Sequence, residues 1–245
     1  GTSMAAPNVS GALALIKARF PNDTYRQLIN RLLRGTDPGE RFASKSHTGG
    51  RLHLLAALST ATNRPFNDDF ASRAKFTSDN LALRSSNTGA TAESGEPANA
   101  GAAPSATLWW EWTAPAGSTV SVDTSGSGYD TVLSVYTGNT LGGLTTVSTN
   151  DDDLGKVTSR VTFTAQAGVS YQIAVDGKNG ATGLTLVNVG TTPINDAFAS
   201  ATTISGESLH VVGTNFRATL EAGEPRIGSF AGGTSLWYRD RKSVV

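Results

Sequence analysis

Cysteine is absent from this chain of 245 residues, and methionine occurs only once. No disulfide can therefore form. Neither sign of charge is in excess, because 20 basic residues balance 20 acidic ones. The sequence thus has no electrostatic basis for binding nucleic acid or an anionic membrane, and we expect no nucleic-acid partner. Apolar runs are short, so we also expect no transmembrane segment.

Helical periodicity is confined to residues 1–62. The first helix is predicted from apolar residues at spacings of three and four, which are Val9, Leu13, Ile16 and Phe20. Thr24 and Gln27 form a capping box that starts a second helix, and Gly35 closes it. A short third segment covers 52–58. By themselves these helices would have no sheet to pack against.

Beyond a turn-rich linker at 63–69 the pattern changes from helical to alternating. Strand-like runs recur between glycine-rich turns, at 121–123, 133–136, 161–163 and 171–175. Regular short strands with such turns predict an antiparallel β-sandwich. Trp109, Trp110 and Trp112 alternate with Glu111, so we expect one or two of the rings in the core and another on a face.

An internal repeat runs through this β-rich part of the chain. The pattern Asn-Asp-x-Phe-Ala-Ser recurs after 128 positions, from Asn67 to Asn195. The matched segments are 67–72 with 195–200, 93–97 with 221–225, and 108–109 with 236–237. Two copies are therefore predicted, at 63–190 and 191–245. The basic run 239–245 departs from the first copy, which indicates a truncated or frame-shifted second sandwich.

The opening residues, Gly1-Thr2-Ser3-Met4-Ala5-Ala6-Pro7, place a hydroxyl nucleophile at the start of the first helix. Free backbone N–H groups and the positive end of the helix dipole converge there, which suits a developing oxyanion. Pro7 is expected in the first helical turn, where its missing N–H costs little. The alternative is that Ser3 is only an N-cap.

Together with Val9 and Gly11, this segment resembles the sequence around the nucleophile of subtilisin-like serine peptidases. Asn8 departs from the family, which more often has His there. The resemblance implies a serine endopeptidase that acts on protein or peptide substrates and needs no cofactor for catalysis. Ser3 would be its nucleophile and would contribute its backbone N–H to the oxyanion hole.

The resemblance also implies that residues 1–62 are the C-terminal helical remnant of an α/β catalytic domain. The family order is Asp, then His, then Ser. We therefore expect the Asp, the His and the oxyanion-hole Asn to precede Gly1, and the chain by itself to be inactive.

Three histidines are candidates for a catalytic base within the chain. His47 lies in a polar loop, and His210 belongs to a distant β segment. His53 stands where the family commonly has Asn, in a short closing helix. Solvated or capping roles are favoured over catalysis for all three.

The first β-rich copy resembles the pre-peptidase C-terminal domain, a jelly-roll-like β-sandwich found after secreted bacterial peptidase domains. Three segments carry this resemblance, at 129–138, 150–153 and 167–177. It implies a secreted, extracellular bacterial parent in which these modules are trimmed off or assist secretion, folding or substrate binding. The alternative function of the chain is thus a non-catalytic β-sandwich binding or secretion module. The predicted fold class is multidomain: a helical remnant, an all-β jelly-roll-like sandwich and a truncated second sandwich.

An acidic run suggests a metal site in the first sandwich. Asp130, Asp151, Asp152 and Asp153 could supply hard oxygen ligands for a structural Ca²⁺ ion. The alternative is an ordinary solvated acidic turn, since the spacing matches no EF-hand loop.

The aromatic cluster suggests a binding surface. The three clustered tryptophans, with Tyr129 and Tyr136, could form a platform for a polysaccharide or an unfolded protein. The alternative, and the commoner role of aromatics in sandwich strands, is the core.

Overall fold

The structure is a computed structural model that describes residues 2–39, 41–42, 46, 48–60, 64–78, 80–204, 215, 217–225 and 234–240. Its N-terminal part contains three helices, Thr2–Arg19 (α1), Tyr25–Arg34 (α2) and Leu54–Ser59 (α3). Two short antiparallel strands, Asp37–Pro38 (β1) and Gly50–Arg51 (β2), lie between α2 and α3. The three predicted helical segments are therefore confirmed.

The capping box of α2 forms as predicted. The Thr24 backbone N–H donates to Gln27 Oε1 at 2.8 Å, and the Gln27 N–H donates to Thr24 Oγ1 at 3.4 Å. Gly35 follows the last residue of α2 and donates its backbone N–H to the Arg31 carbonyl at 3.0 Å. Both ends of α2 are thus satisfied by residues that are local in sequence.

The first helix differs from the prediction in two respects. It begins at Thr2, so Pro7 lies in its second turn rather than its first. Pro7 has no N–H to donate to the Ser3 carbonyl four residues earlier. Val9 is 38% exposed, and only Ala12 and Ile16 of α1 are buried. These two residues pack against α2 and α3 together with the partly buried Leu13, and the other described side chains of α1 are exposed.

The first β-rich copy begins with strands Ala74–Phe76 (β3), Leu81–Ser86 (β4), Leu108–Thr113 (β5), Ser118–Asp123 (β6) and Thr131–Thr137 (β7). It continues with Thr145–Asn150 (β8), Arg160–Ala165 (β9), Ser170–Gly177 (β10) and Leu184–Thr191 (β11). All four strand-like runs predicted from the sequence lie within these strands. The second copy contributes Thr202–Ile204 (β12) and Tyr238–Asp240 (β13).

Within the described residues, the first copy forms two packed sheets. One has the order β3-β5-β10-β7-β8 and the other the order β4-β11-β6-β9. All pairings are antiparallel except that of β3 with β5. Both sheets contribute to one buried core, whose members include Trp110, Trp112, Ile173 and Val175 from the first and Val120, Val122, Val187 and Val189 from the second. The predicted β-sandwich is therefore confirmed.

Trp109 lies on the opposite face of its sheet from Trp110 and Trp112. It is nevertheless fully buried, because Phe70 and Tyr136 cover it. The Phe70 and Trp109 rings meet edge to face, with centroids 5.0 Å apart and planes at 86°. Two tryptophans thus enter the core and the third lies on a face, as predicted. The binding-platform interpretation is wrong, because these rings and those of Tyr129 and Tyr136 are inaccessible.

The second copy reproduces the first at the level of single hydrogen bonds. Asn67 Nδ2 donates to the Trp109 carbonyl, and Asn195 Nδ2 donates to the Trp237 carbonyl, both at 3.1 Å. β12 and β13 pair in parallel, as β3 and β5 do. The repeat predicted from the sequence is thus a structural repeat over the described residues. Of the departing tail at 239–245, Arg239 and Asp240 continue β13, as Glu111 and Trp112 continue β5 in the first copy, and residues 241–245 lie outside the described residues.

Arg34 connects the helical part to the sandwich. At the end of α2, its Nη2 donates to the Pro65 carbonyl at 2.9 Å and its Nη1 pairs with Asp69 Oδ2 at 2.9 Å. Leu33 packs both against the helical core and against the sandwich core. Among the described residues, no helix is long and apolar enough to cross a membrane.

Candidate functional site

Ser3 is the second residue of α1 and is exposed. It therefore lies inside the helix and is not its N-cap. Its backbone N–H belongs to the first turn, whose N–H groups have no partners within the helix. The first turn contains no acidic side chain, so nothing within it neutralises the positive end of the helix dipole. An exposed hydroxyl at this position is chemically suited to attack a carbonyl, and the free N–H groups of the helix start are suited to stabilise the resulting oxyanion.

The residues around Ser3 leave its hydroxyl accessible. Within the part of the chain that the structure describes, the Ser3 side chain has no hydrogen-bond partner. The nearby polar side chains instead bond to the helix backbone: Asn8 Nδ2 donates to the Met4 carbonyl at 2.8 Å, and Ser10 Oγ donates to the Ala6 carbonyl at 3.2 Å. The side chain of Asn8, where the resembled family more often has His, thus bonds to the helix backbone and does not contact Ser3.

His53 caps α3. It is the N-cap residue, and its Nδ1 accepts the Ala56 backbone N–H at 2.9 Å. An imidazole nitrogen that accepts a backbone hydrogen bond performs the task of an N-cap oxygen. The capping role is thereby confirmed for His53. His47, His210 and Gly1 lie outside the described residues.

Three of the four predicted metal ligands come together in the first sandwich. Asp130, Asp151 and Asp152 each direct a carboxylate oxygen to a group in which all such atoms lie within 4.8 Å of one another. The Oδ1 atoms of Asp130 and Asp151 are buried and accept no hydrogen bond from the residues that the structure describes. Asp153 does not join this group, because its Oδ2 pairs with Arg160 Nε at 3.1 Å.

Lys178 belongs to the same site, although sequence reasoning missed it. Its Nζ lies 2.6 Å from Asp151 Oδ2 and 3.8 Å from Asp152 Oδ2. The hydrogen bond with Asp151 raises the pKa of the Lys178 ammonium above its ordinary value. The side chain neutralises part of the acidic charge. Nothing in the sequence around Lys178 indicates that it contacts Asp151, because the two residues are 27 positions apart.

Glu96 is a partly buried acidic residue outside this site, on the face of the five-stranded sheet where Phe70 and Tyr136 cover Trp109. Its Oε2 accepts the Thr107 hydroxyl at 2.7 Å, and its Oε1 lies 3.4 Å from Trp109 Nε1. Burial raises the pKa of the Glu96 carboxyl above its ordinary value of 4.5. This glutamate was part of the repeat motif, and the structure assigns it a role in packing.

Comparison with known proteins found a family match in the N-terminal part. Residues 1–51 match the model of the subtilase family, Peptidase_S8. No curated protein matches the chain.

Two solved structures are similar to about half of the chain. The pre-peptidase C-terminal domain of collagenase from Bacillus anthracis shares 9% identity, with a TM-score of 0.32, over 47% of this chain and 91% of that one. The periplasmic inhibitor of g-type lysozyme PliG from Aeromonas hydrophila shares 19% identity, with a TM-score of 0.31, over 46% of this chain and 85% of that one. The sandwich assignment rests on the strand order and the shared core described above. By its family match, the segment that carries Ser3, residues 1–51, is similar to the subtilase family.

Proposed function

We propose that residues 1–51 carry the nucleophile of a subtilisin-like serine endopeptidase, and that this nucleophile is Ser3. The observation that carries the proposal is the segment Gly1-Thr2-Ser3-Met4-Ala5-Ala6-Pro7 within the matched range. The exposure of Ser3 in the first turn of α1 supports it. The substrates would be proteins or peptides, and the parent protein would be secreted.

The chemistry follows from the position of the hydroxyl. Ser3 Oγ would add to the scissile carbonyl carbon, while a histidine takes its proton. The oxyanion would be stabilised by the Ser3 backbone N–H and by the positive end of α1. Collapse of the tetrahedral intermediate would break the C–N bond, return the proton to the leaving amine and leave an acyl-enzyme, which water then hydrolyses.

The remaining catalytic groups would come from residues preceding Gly1 in a longer protein. The family order places its Asp and His before the Ser, and the one histidine of the described residues, His53, is engaged in capping α3. Exposed apolar side chains of α1, Met4 at 72% and Leu15 at 52%, are consistent with a helix that packs against further structure. We therefore expect the chain alone to be inactive.

Labelling with a fluorophosphonate tests this proposal. A longer protein with the N-terminal part of a subtilisin-like domain before Gly1 should be labelled, whereas the chain alone should not. Ser3→Ala should abolish the label. Ser10→Ala is the matched control, since Ser10 is an exposed serine of the same helix. A label that persists in Ser3→Ala would refute Ser3 as the nucleophile, and an unlabelled longer protein that folds would favour the non-catalytic module.

A second proposal concerns the acidic site of the first sandwich. Asp130, Asp151 and Asp152 would hold a structural Ca²⁺ ion, for which carboxylate oxygens are the preferred ligands. The two buried Oδ1 atoms without partners favour this, because a buried carboxylate oxygen that lacks a hydrogen bond is costly. Lys178 would have to release Asp151 when the ion binds.

Thermal unfolding with and without calcium tests the second proposal. A bound ion should stabilise the chain by about 2.7 kcal/mol when its concentration is about 100 times the Kd. Asp151→Asn should remove the calcium-induced shift. Asp153→Asn should retain it, because Asp153 pairs with Arg160 instead. A shift that is absent from the parent chain, or equal in all variants, would refute the site.

A further inference from the structure

One turn of the second copy reproduces a turn of the first but has a different residue at its most constrained position. The Ala218 N–H donates to the Asn215 carbonyl at 3.0 Å, and the residues 128 positions earlier make the same bond at 2.9 Å. The residue before each alanine has left-handed backbone, with φ of 80° at Gly89 and 66° at Arg217. Glycine adopts this conformation freely, whereas a Cβ makes it unfavourable. The second copy therefore holds an arginine in a conformation that favours glycine.

The Arg217 side chain extends from the second copy onto the first. A Cβ added to Gly190, in β11, would collide with Arg217 Nη1 and would lie 2.7 Å from Arg217 Cδ. The arginine side chain thus runs directly over the Gly190 Cα, in the space that any other residue would fill. Arg217 is only 7% exposed, so the contact is enclosed.

The four-stranded sheet of the first copy is closed to solvent at the point of this contact. The neighbouring valines of β6 enter the core, so Ser121 and Asp123 point to the outer face of the sheet. Both are nevertheless buried, at 0% and 4% exposed. Ser121 stands opposite Gly190 in the register of β6 with β11. Arg217 therefore lies on a covered polar patch and not on an open surface.

A carboxylate of the first copy supplies the counter-charge for Arg217. Burial lowers the pKa of the Arg217 guanidinium, because a charge is less stable away from water. Attraction to Asp123 opposes this shift, whereas repulsion from Arg160 of β9 adds to it. Arg160 is itself paired with Asp153 at 3.1 Å. Asp123 thus offsets part of the desolvation of a cation that comes from the other copy.

The connection between the two copies is short and is attached at its first residue. β11 ends at Thr191, and the repeated motif of the second copy begins at Asn195. The Thr192 N–H and hydroxyl donate to the Thr119 carbonyl at 3.0 Å and 3.3 Å. A linker alone leaves two domains free to turn relative to each other. The contact of Arg217 with the first copy is a second attachment, away from the linker.

We propose that Arg217 docks the second copy on the four-stranded sheet of the first, so that the two copies move as one rigid body. Arg217 is then a positioning residue, and Gly190 is the site that receives it. Unfavourable backbone of this kind persists where the surrounding structure holds it. Contact with the first copy provides that support.

Double electron–electron resonance between two nitroxide labels on the full chain measures this docking. The chain has no cysteine, so Thr146→Cys in the first copy and Thr203→Cys in the second provide two exposed labelling sites. We expect one narrow distribution of label distances in the labelled parent. In Arg217→Gly it should be at least about twofold broader, because domains without a fixed interface move relative to each other. The turn itself should persist, since glycine adopts a φ of 66° without strain.

Gly190→Ala tests the same contact from the first copy. Its Cβ should displace the guanidinium and broaden the distribution to the same extent, and it should add nothing when combined with Arg217→Gly. Gly117→Ala is the matched control, because a Cβ there makes only an ordinary contact, 3.7 Å from the Ala165 carbonyl oxygen. An unchanged distribution in Arg217→Gly or in Gly190→Ala would overturn the proposal. So would additive broadening in the double variant, or a broad distribution in the parent.

Discussion

The substitution Trp109→Ala tests whether the covered face of the five-stranded sheet is a true second core. Trp109 is 0% exposed and packs edge to face against Phe70. A buried tryptophan removes about 200 Å² from water, which at about 25 cal/mol per Å² corresponds to about 5 kcal/mol. Because the site collapses only in part after truncation, we expect a loss of about 3–5 kcal/mol in the free energy of unfolding.

The repeat supplies a matched control for this substitution. Trp237 occupies the same place in the second copy and makes the same ring contact with Phe198, but it is only half-buried. Trp237→Ala should therefore cost less than about 1 kcal/mol in the unfolding of the first sandwich. Urea denaturation followed by circular dichroism measures both values. Equal losses for the two variants, or a loss below about 1 kcal/mol for Trp109→Ala, would refute the covering role of Phe70 and Tyr136.

Three other predictions concern the capping, packing and titration of single residues. His53→Ala should lower helix stability by about 1 kcal/mol through loss of the cap, whereas His53→Asn should retain it, as read by thermal unfolding. Gly177→Ala should lower the free energy of unfolding by about 1–3 kcal/mol or more, because the added Cβ would collide with the Ala181 carbonyl oxygen. Gly155→Ala is its control in the same thermal unfolding assay: the space around Gly155 is open, so only the smaller strain of a side chain at φ 77° should appear. Burial raises the pKa of Glu96, so the protonated carboxyl stabilises the fold below pH 4.5 and this stabilisation is lost as the pH rises through the folded-state pKa. In Glu96→Gln, the free energy of unfolding measured by urea titration should fall less steeply over that pH range. An identical pH profile in the variant would contradict that assignment.

The sequence by itself determined the features that depend on neighbouring residues. The capping box of α2 joins Thr24 to Gln27, three positions apart, and strand alternation has a period of two. The repeat was also visible in the sequence, because identical side chains make the same hydrogen bonds in both copies, as Asn67 and Asn195 do. The motif around Ser3 belongs to this class, since its chemistry lies within seven consecutive residues.

Only the tertiary structure decided which distant residues meet. The order β3-β5-β10-β7-β8 brings strands far apart in sequence side by side, and local periodicity contains no information on such pairings. For the same reason Lys178 among the aspartates was not predicted, and neither was the contact of Arg34 with Asp69. Alternation placed Trp109 on the outer face of its sheet, but its burial depended on Phe70, which reaches it from a turn 39 positions earlier. Whether an aromatic side chain on a sheet face is exposed or buried is decided by the segment that crosses that face.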